Sequence, residues 1–237
     1  MKIKKLTVVM GGACLSLLLI GSAFASTASN ASSVSMSKTG IISSSFDDLK
    51  AKLEQEKNSK NLASTTPLVQ GEDFQISRQD FIFYKSNMDM INKLQNNKIA
   101  PSSISDDALI DEMVLKELTV NHAKKLGLQV SPQEVDAVIQ QERTLLNDPS
   151  ITGENNETVR EIMKHRIRIT GLSEDEFWKS KETKKEYEKA LLTGKLFDKL
   201  VAEGKIEKDG ASFGVFQKSL LESSKGKVTV NKNALNN

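Results

Sequence analysis

Apolar positions between residues 106 and 126 fall around most of a helical circumference: Leu109, Ile110, Met113, Val114, Leu115, Leu118, Val120 and Ala123 share no single stripe. A helix that is apolar nearly all round is one that neighbours surround, so this segment is predicted as the central helix. It stops at Gly127, the residue that most readily takes the left-handed conformation of a helix C-terminus. The next helix starts almost at once. Ser131 stands as N-cap, Pro132 occupies the first helical position, where a missing N–H costs nothing, and Glu134 closes a capping box. Leu128, Gln129 and Val130 are left as a tight apolar connector. Val135, Val138, Ile139, Leu145 and Leu146 then form one stripe, which places this second helix over the centre from outside. Val159, Ile162, Met163 and Ile167 repeat the pattern after Asn156. A further capping box, Ser173 with Glu176, opens a single long helix reaching Val201; it carries Phe177 and Trp178 early and Tyr187, Leu191, Leu192, Leu196 and Leu200 late.

Upstream, Ser77 and Asp80 form a capping pair ahead of Phe81, Tyr84, Met88 and Ile91, which fall on one helical face. Phe83 and Met90 lie off that face and broaden the apolar coverage. Before this helix, Leu68-Val69 and Phe74-Gln75-Ile76 flank Gly71-Glu72-Asp73, a small hairpin too short to stand alone. It needs a third strand, and the alternation of Lys227-Val228-Thr229-Val230 supplies a candidate.

The first 66 residues have another character. Lys2, Lys4 and Lys5 precede an apolar run over residues 6–25 that closes on Ala23-Phe24-Ala25, the pattern of a secretory signal peptide cleaved after Ala25. The run also has the length of a membrane span, so retention as an anchor through residues 6–25 stays open, although Gly11, Gly12, Ser16 and Gly21 weaken it. Cys14 follows Gly-Gly-Ala where a lipidation site would carry Leu. Residues 26–45 are rich in Ser and Thr and read as a linker. Phe46, Leu49 and Leu53 then form a short amphipathic pattern, a marginal helix within a linker that extends over 26–66.

The stretch LIDEMVLKELTVNHAKKLGLQVSPQEVDAVIQQE resembles the N-terminal helical module of the SurA-type periplasmic chaperones and PrsA-type extracellular foldases: an apolar helix ending in Ala-Lys-Lys-Leu-Gly, then an apolar residue, Val, Ser and an acidic helix start. LVQGEDFQISRQDFIFYKSN is similar to that family's opening hairpin and first helix, and GLSEDEFWKS to its next capped helix. The resemblance implies a mainly α fold, a SurA N-terminal-like domain over 67–231, with a small sheet joining the N- and C-terminal segments and a disordered tail at 232–237. Most members carry a parvulin-type prolyl isomerase domain between the long helix and the closing helix and strand. Here only GKIEKDGA fills that interval, so the isomerase site has no positions to map onto. The resemblance thus implies an ATP-independent extracytoplasmic chaperone of unfolded or partly folded exported proteins, with no catalytic residue. The apolar groups available to line a client groove are Phe81, Phe83, Tyr84, Met88, Met90, Ile91, Phe177 and Trp178; packing against neighbouring helices is the alternative for each. An isomerase-related foldase of degenerate activity and a dedicated helical partner of one envelope component are the other functional readings.

Composition agrees with helices. Aromatic residues are 5% of the 237, so the core must come from Leu, Ile, Val, Ala and Met, which suits packed helices better than a β-sandwich. Removal of residues 1–25 takes three lysines and the single cysteine, which moves the formal charge from +2 to −1 and leaves no thiol or disulfide. A near-neutral chain has no electrostatic footprint for nucleic acid. Around Gly194-Lys195 the next residue is Leu196, and Lys189 stands where a phosphate-binding loop needs glycine, so no nucleotide cofactor is expected. His122 and His165 lie in separate helices without metal-ligand spacing, and no metal site is expected. Arg160, Lys164 and Arg168 form a basic stripe that Glu157 and Glu161 neutralise on a solvated face, and residues 179–189 are a charge-laced exposed helix.

The exported protein is expected to have an intact mass that begins at Ser26. A mass that begins at or before Leu6 would show that the N-terminal segment is kept.

Overall fold

The three alternating segments of the chain meet in one antiparallel sheet of two-residue strands. These are β1 (Val69–Gln70), β2 (Gln75–Ile76) and β3 (Thr229–Val230), in the order β2-β1-β3. The computed structural model describes residues 37–58, 66–96 and 104–235; the segment expected to be a signal peptide, with Ala23, Ala25 and the anchor alternative, lies outside the described residues. Val69 faces Ile76 on one side and Val230 on the other, so one apolar row crosses the sheet. The hairpin closes through the Gly71 amide, which donates to the Phe74 carbonyl at 2.9 Å. A Cβ on Gly71 would stand 2.2 Å from the Phe74 ring, and so only glycine lets the turn fold this tightly. Strands this short are stable only by packing. Leu68, Val69 and Ile76 are buried against Phe81, Leu109, Ile110 and Val114.

Among the described residues, eight α-helices accompany this sheet: α1 (Lys38–Asn58), α2 (Arg78–Asn96), α3 (Asp106–Lys125), α4 (Pro132–Asn147), α5 (Glu154–Thr170), α6 (Glu174–Lys179), α7 (Lys181–Ala202) and α8 (Gly210–Ser223). The fold is therefore mainly α with a small antiparallel sheet, as the sequence predicts. The caps form as expected. Ser131 and Glu134 make both hydrogen bonds of a capping box, as do Ser173 and Glu176, and Gly127 has φ +75 behind α3. Helix α3 buries residues on several sides and packs on α2, α7 and α8, which makes it the centre. Contacts run in a circuit, from α1 to α2, α3 and α7, through α6 to α5, and back to α1.

Four expectations fail, each for a physical reason. Residues 38–45 are not linker but the first half of α1. Ser43, Ser44 and Ser45 each disfavour helix by a few tenths of a kcal/mol, whereas burying Ile41, Ile42, Phe46 and Leu49 gains about 1.5–3 kcal/mol apiece. Tertiary burial wins. The single long helix from Ser173 is broken at Ser180, whose φ −63 and ψ 149 are extended; its side chain accepts from the Thr183 amide and so caps α7 as α6 ends. The tail reading of 232–237 fails over its described part, because residues 232–234 form a 3₁₀ turn, Ala234 is buried, and its carbonyl accepts a 2.8 Å bond from Arg78 Nη1; residues 236 and 237 lie outside the described residues. The Arg78 guanidinium also holds Glu56 at 3.0 Å, which ties the end of α1 to the start of α2.

The basic stripe on α5 is the fourth. Arg160 is a clip: its guanidinium donates to the carbonyls of Leu146, Asp148 and Ile151 and so fixes the α4–α5 connection. Arg168 crosses to Asp47 of α1 at 2.7 Å, and only Lys164 meets its expected local partner, Glu161 at 3.3 Å. Between these cations His165 is 9% exposed and stacks on Phe46 of α1, with ring centroids 5.9 Å apart.

Burial, reinforced by the Arg168 and Lys164 charges, holds the His165 pKa below the usual histidine value, with Glu161 and Asp47 opposing. The unfolded chain then binds a proton that the folded one refuses. The stability this residue contributes is complete above about pH 6.5 and is lost as pH falls through the lower folded pKa. Chemical denaturation between pH 5 and pH 8 should show that dependence, and His165→Phe should flatten it; an unchanged slope in the variant would assign the dependence elsewhere.

Candidate functional site

A crevice of about 290 Å³ opens among α2, α5, α6 and α7, lined by Phe83, Arg166, Ile169, Thr170, Leu172, Phe177, Ser180, Glu182, Thr183 and Glu186. Its volume sits at the small end of ligand pockets, which run to roughly 300–1,000 Å³. It has room for one bulky side chain. Phe83 forms one wall because it lies off the buried face of α2. Phe177 forms another because the break at Ser180 turns α6 away from α7 and lets the ring point inward.

Of the eight residues singled out from sequence, the structure brings Phe83 and Phe177 together here. The others are placed in packing. Phe81 is buried beneath the sheet, with Tyr84 and Met88 packed on the rim of the same cluster. Met90 is buried against α1, and Ile91 is also core. Trp178 is 2% exposed, held edge-on to Phe177 at 5.3 Å and near Tyr187 at 6.3 Å, with its indole N–H donating to Glu174. As client-lining groups Phe81, Met90, Ile91 and Trp178 are therefore corrected to core, because their helices face neighbours where the stripe alone showed only amphipathicity; Phe177, 4% exposed, is core as well and borders the crevice from within the cluster of Trp178 and Tyr187.

Sequence reasoning missed the charged lining. Arg166 lies with its guanidinium carbon 5.2 Å from the Phe83 ring centroid, a cation over an aromatic face. Burial pulls its pKa down, while Glu186, Tyr187 and the buried Glu142 of α4 oppose this, so the cation is kept by nearby negative charge. Glu186 also acts on Lys116 of α3 and pairs with Lys189 at 3.3 Å, and Lys189 binds Glu117. Lys116 donates to the Tyr84 hydroxyl at 3.0 Å and lies 4.2 Å from that ring, and Tyr84 in turn donates to Glu112 at 2.6 Å. A polar network thus joins α2, α3, α5 and α7. No local signal betrays it: Lys116 and Arg166 look like ordinary charged positions until the helices close on them.

Burial drives the Lys116 amine down to about 8, against the pull of Glu112 and Glu186, and burial first, then Glu112, raises the Tyr84 phenol. A second depression of about 140 Å³ between the hairpin turn, α3 and α8 holds His122 and Lys125, but Lys125 is engaged by Glu72 and Asp73. Among the described residues, no group of three or more His, Cys, Asp or Glu is gathered to hold a metal, and no helix is long and apolar enough to cross a membrane. Comparison with protein-family models, curated proteins and solved structures gave no match.

Carbon-13 NMR of reductively methylated lysines should show one amine, Lys116, titrating near pH 8. Because this folded pKa lies below the unfolded value of about 10.4, the residue's contribution to stability rises as pH climbs between the two. Glu112→Gln should lower the midpoint further; a Lys116 midpoint near 10 would show that the amine is solvated.

Proposed function

We propose that this chain is an ATP-independent extracytoplasmic chaperone that holds unfolded or partly folded exported polypeptides by their apolar side chains, in a SurA N-terminal-like helical module. The observation that carries the reading is the crevice walled by Phe83 and Phe177 with Arg166 over the Phe83 face. Apolar rings take side chains of many shapes, and a fixed guanidinium adds attraction for aromatic faces and peptide carbonyls. A site of this size contributes little by itself. At about 25 cal/mol per Å², less the cost of ordering the client, it gives weak and exchanging contacts, which is what a holdase needs in order to release.

The order of elements supports the family reading. A hairpin opens the module, capped helices follow in the resembled sequence, and β3 comes back to pair with β1. Only residues 203–209 join α7 to α8, which fits a module without an inserted isomerase and a mechanism with no catalytic residue.

Purified residues 26–237 should suppress aggregation of a chemically denatured reporter protein, with or without ATP, and Phe83→Ser should weaken that by about tenfold, the loss of one central aromatic contact. In a proline-limited refolding assay the chain should not act substoichiometrically. No suppression at molar excess would overturn the proposal, and substoichiometric acceleration would restore the foldase alternative.

A further inference from the structure

The apolar cluster beneath α1 and the crevice are one surface, because Phe83 and Ile169 belong to both. From there the cluster continues through Met90 and Leu94 of α2 and Ile162 of α5, and α1 lies on it. On α1, Ile42, Phe46, Leu49 and Leu53 fall at i, i+4, i+7 and i+11, the spacing of a helix laid into a groove. We propose that the face of α2 and α5 beneath α1 is a binding site for amphipathic helical segments, with α1 as its resident, displaceable occupant.

Three features mark α1 as displaceable. Gly40 and Ser43 to Ser45 make it a poor helix on its own, so its helicity depends on being docked. Its interface is imperfect: among the described residues, Ser45 Oγ and His165 Nδ1 are buried without hydrogen-bond partners, a cost that ordinary cores avoid. Its first half is seated by Ile41, Ile42, Phe46 and Leu49, a burial that an incoming apolar helix replaces like for like, while among the described residues the ion pairs at its edges, Lys38 with Glu154 and Asp47 with Arg168, are exposed and contribute little. The buried pair is at the other end, where Glu56 meets Arg78. Release therefore swings the first half of α1 outward about a fixed C-terminal end and lengthens the crevice into a groove. The client class follows from the occupant: short segments that become helical with large apolar residues on one face.

This inference rests on the holdase reading, and the two fail separately. The chain from Ser26 onward contains every described residue and serves as the protein, with a fluorescent peptide of residues 37–58 as probe. In the unaltered chain, amides of the first half of α1 should exchange about tenfold or more faster than those of α3. Phe46→Ala should bind the probe about tenfold or more tightly than the unaltered chain, because more of the population has an open groove. Emission from Trp178, in a cluster that α1 does not enter, should stay the same and so report an intact body. Equal probe binding by both proteins with unchanged Trp178 emission overturns the proposal. If Phe46→Ala unfolds, the exchange measurement decides: exchange of α1 only at the rate of α3 overturns it, and faster exchange supports it. Probe binding without aggregation suppression would sink the holdase reading and keep the groove.

Discussion

The guanidinium of Arg78 joins three parts of the chain that are far apart in sequence. From the first turn of α2 it reaches Glu56 at the end of α1 and the Ala234 carbonyl in the last described turn. A buried ion pair stabilises only when its geometry is good and its remaining hydrogens find partners, and here the carbonyl takes one of them. The sheet depends on this closure. Two-residue strands cannot hold the whole intervening chain, residues 71–228, together by their own hydrogen bonds; β3 stays beside β1 because Ala234 and Leu235 pack beneath α2 and α3 and because Arg78 fixes the turn that follows it.

What could be read from sequence was whatever is written locally. Ser131, Pro132, Glu134 and Gly127 each act within four residues, and the structure has each in its expected role. The third strand was legible for a different reason: an unpaired hairpin demanded a partner and few segments alternate, although its register and its place beside β1 were not. Residues whose role is set by distant neighbours were not legible. Ser43 to Ser45 look like linker, yet α1 is made by Met90, Leu94 and Ile162. Arg160 looks like one cation in a stripe, yet three carbonyls of a preceding loop determine its conformation.

The candidate site shows the same division. Amphipathic spacing identified apolar residues on α2 and α6 but not which side of each helix would be left uncovered, and only Phe83 and Phe177 proved to border open space together. The charged half of the crevice had no sequence signature, because Arg166 and Glu186 come from two helices and gain their character from mutual proximity and loss of water. A surface with aromatic walls and a charge held in place discriminates poorly by shape.

The loop between α7 and α8 has a meaning beyond its shortness. Apart from Ile206, its residues are exposed, and Ile206 packs on the same cluster as Leu196 and Leu200 of α7 and Phe213 and Phe216 of α8. Lengthening such a loop costs little, about 0.6 kcal/mol for each doubling. Chain added there is cheap so long as Ile206 stays on the cluster and Asp209 keeps its cap on the Ser212 amide, so the seam can lengthen without loss of the helical body.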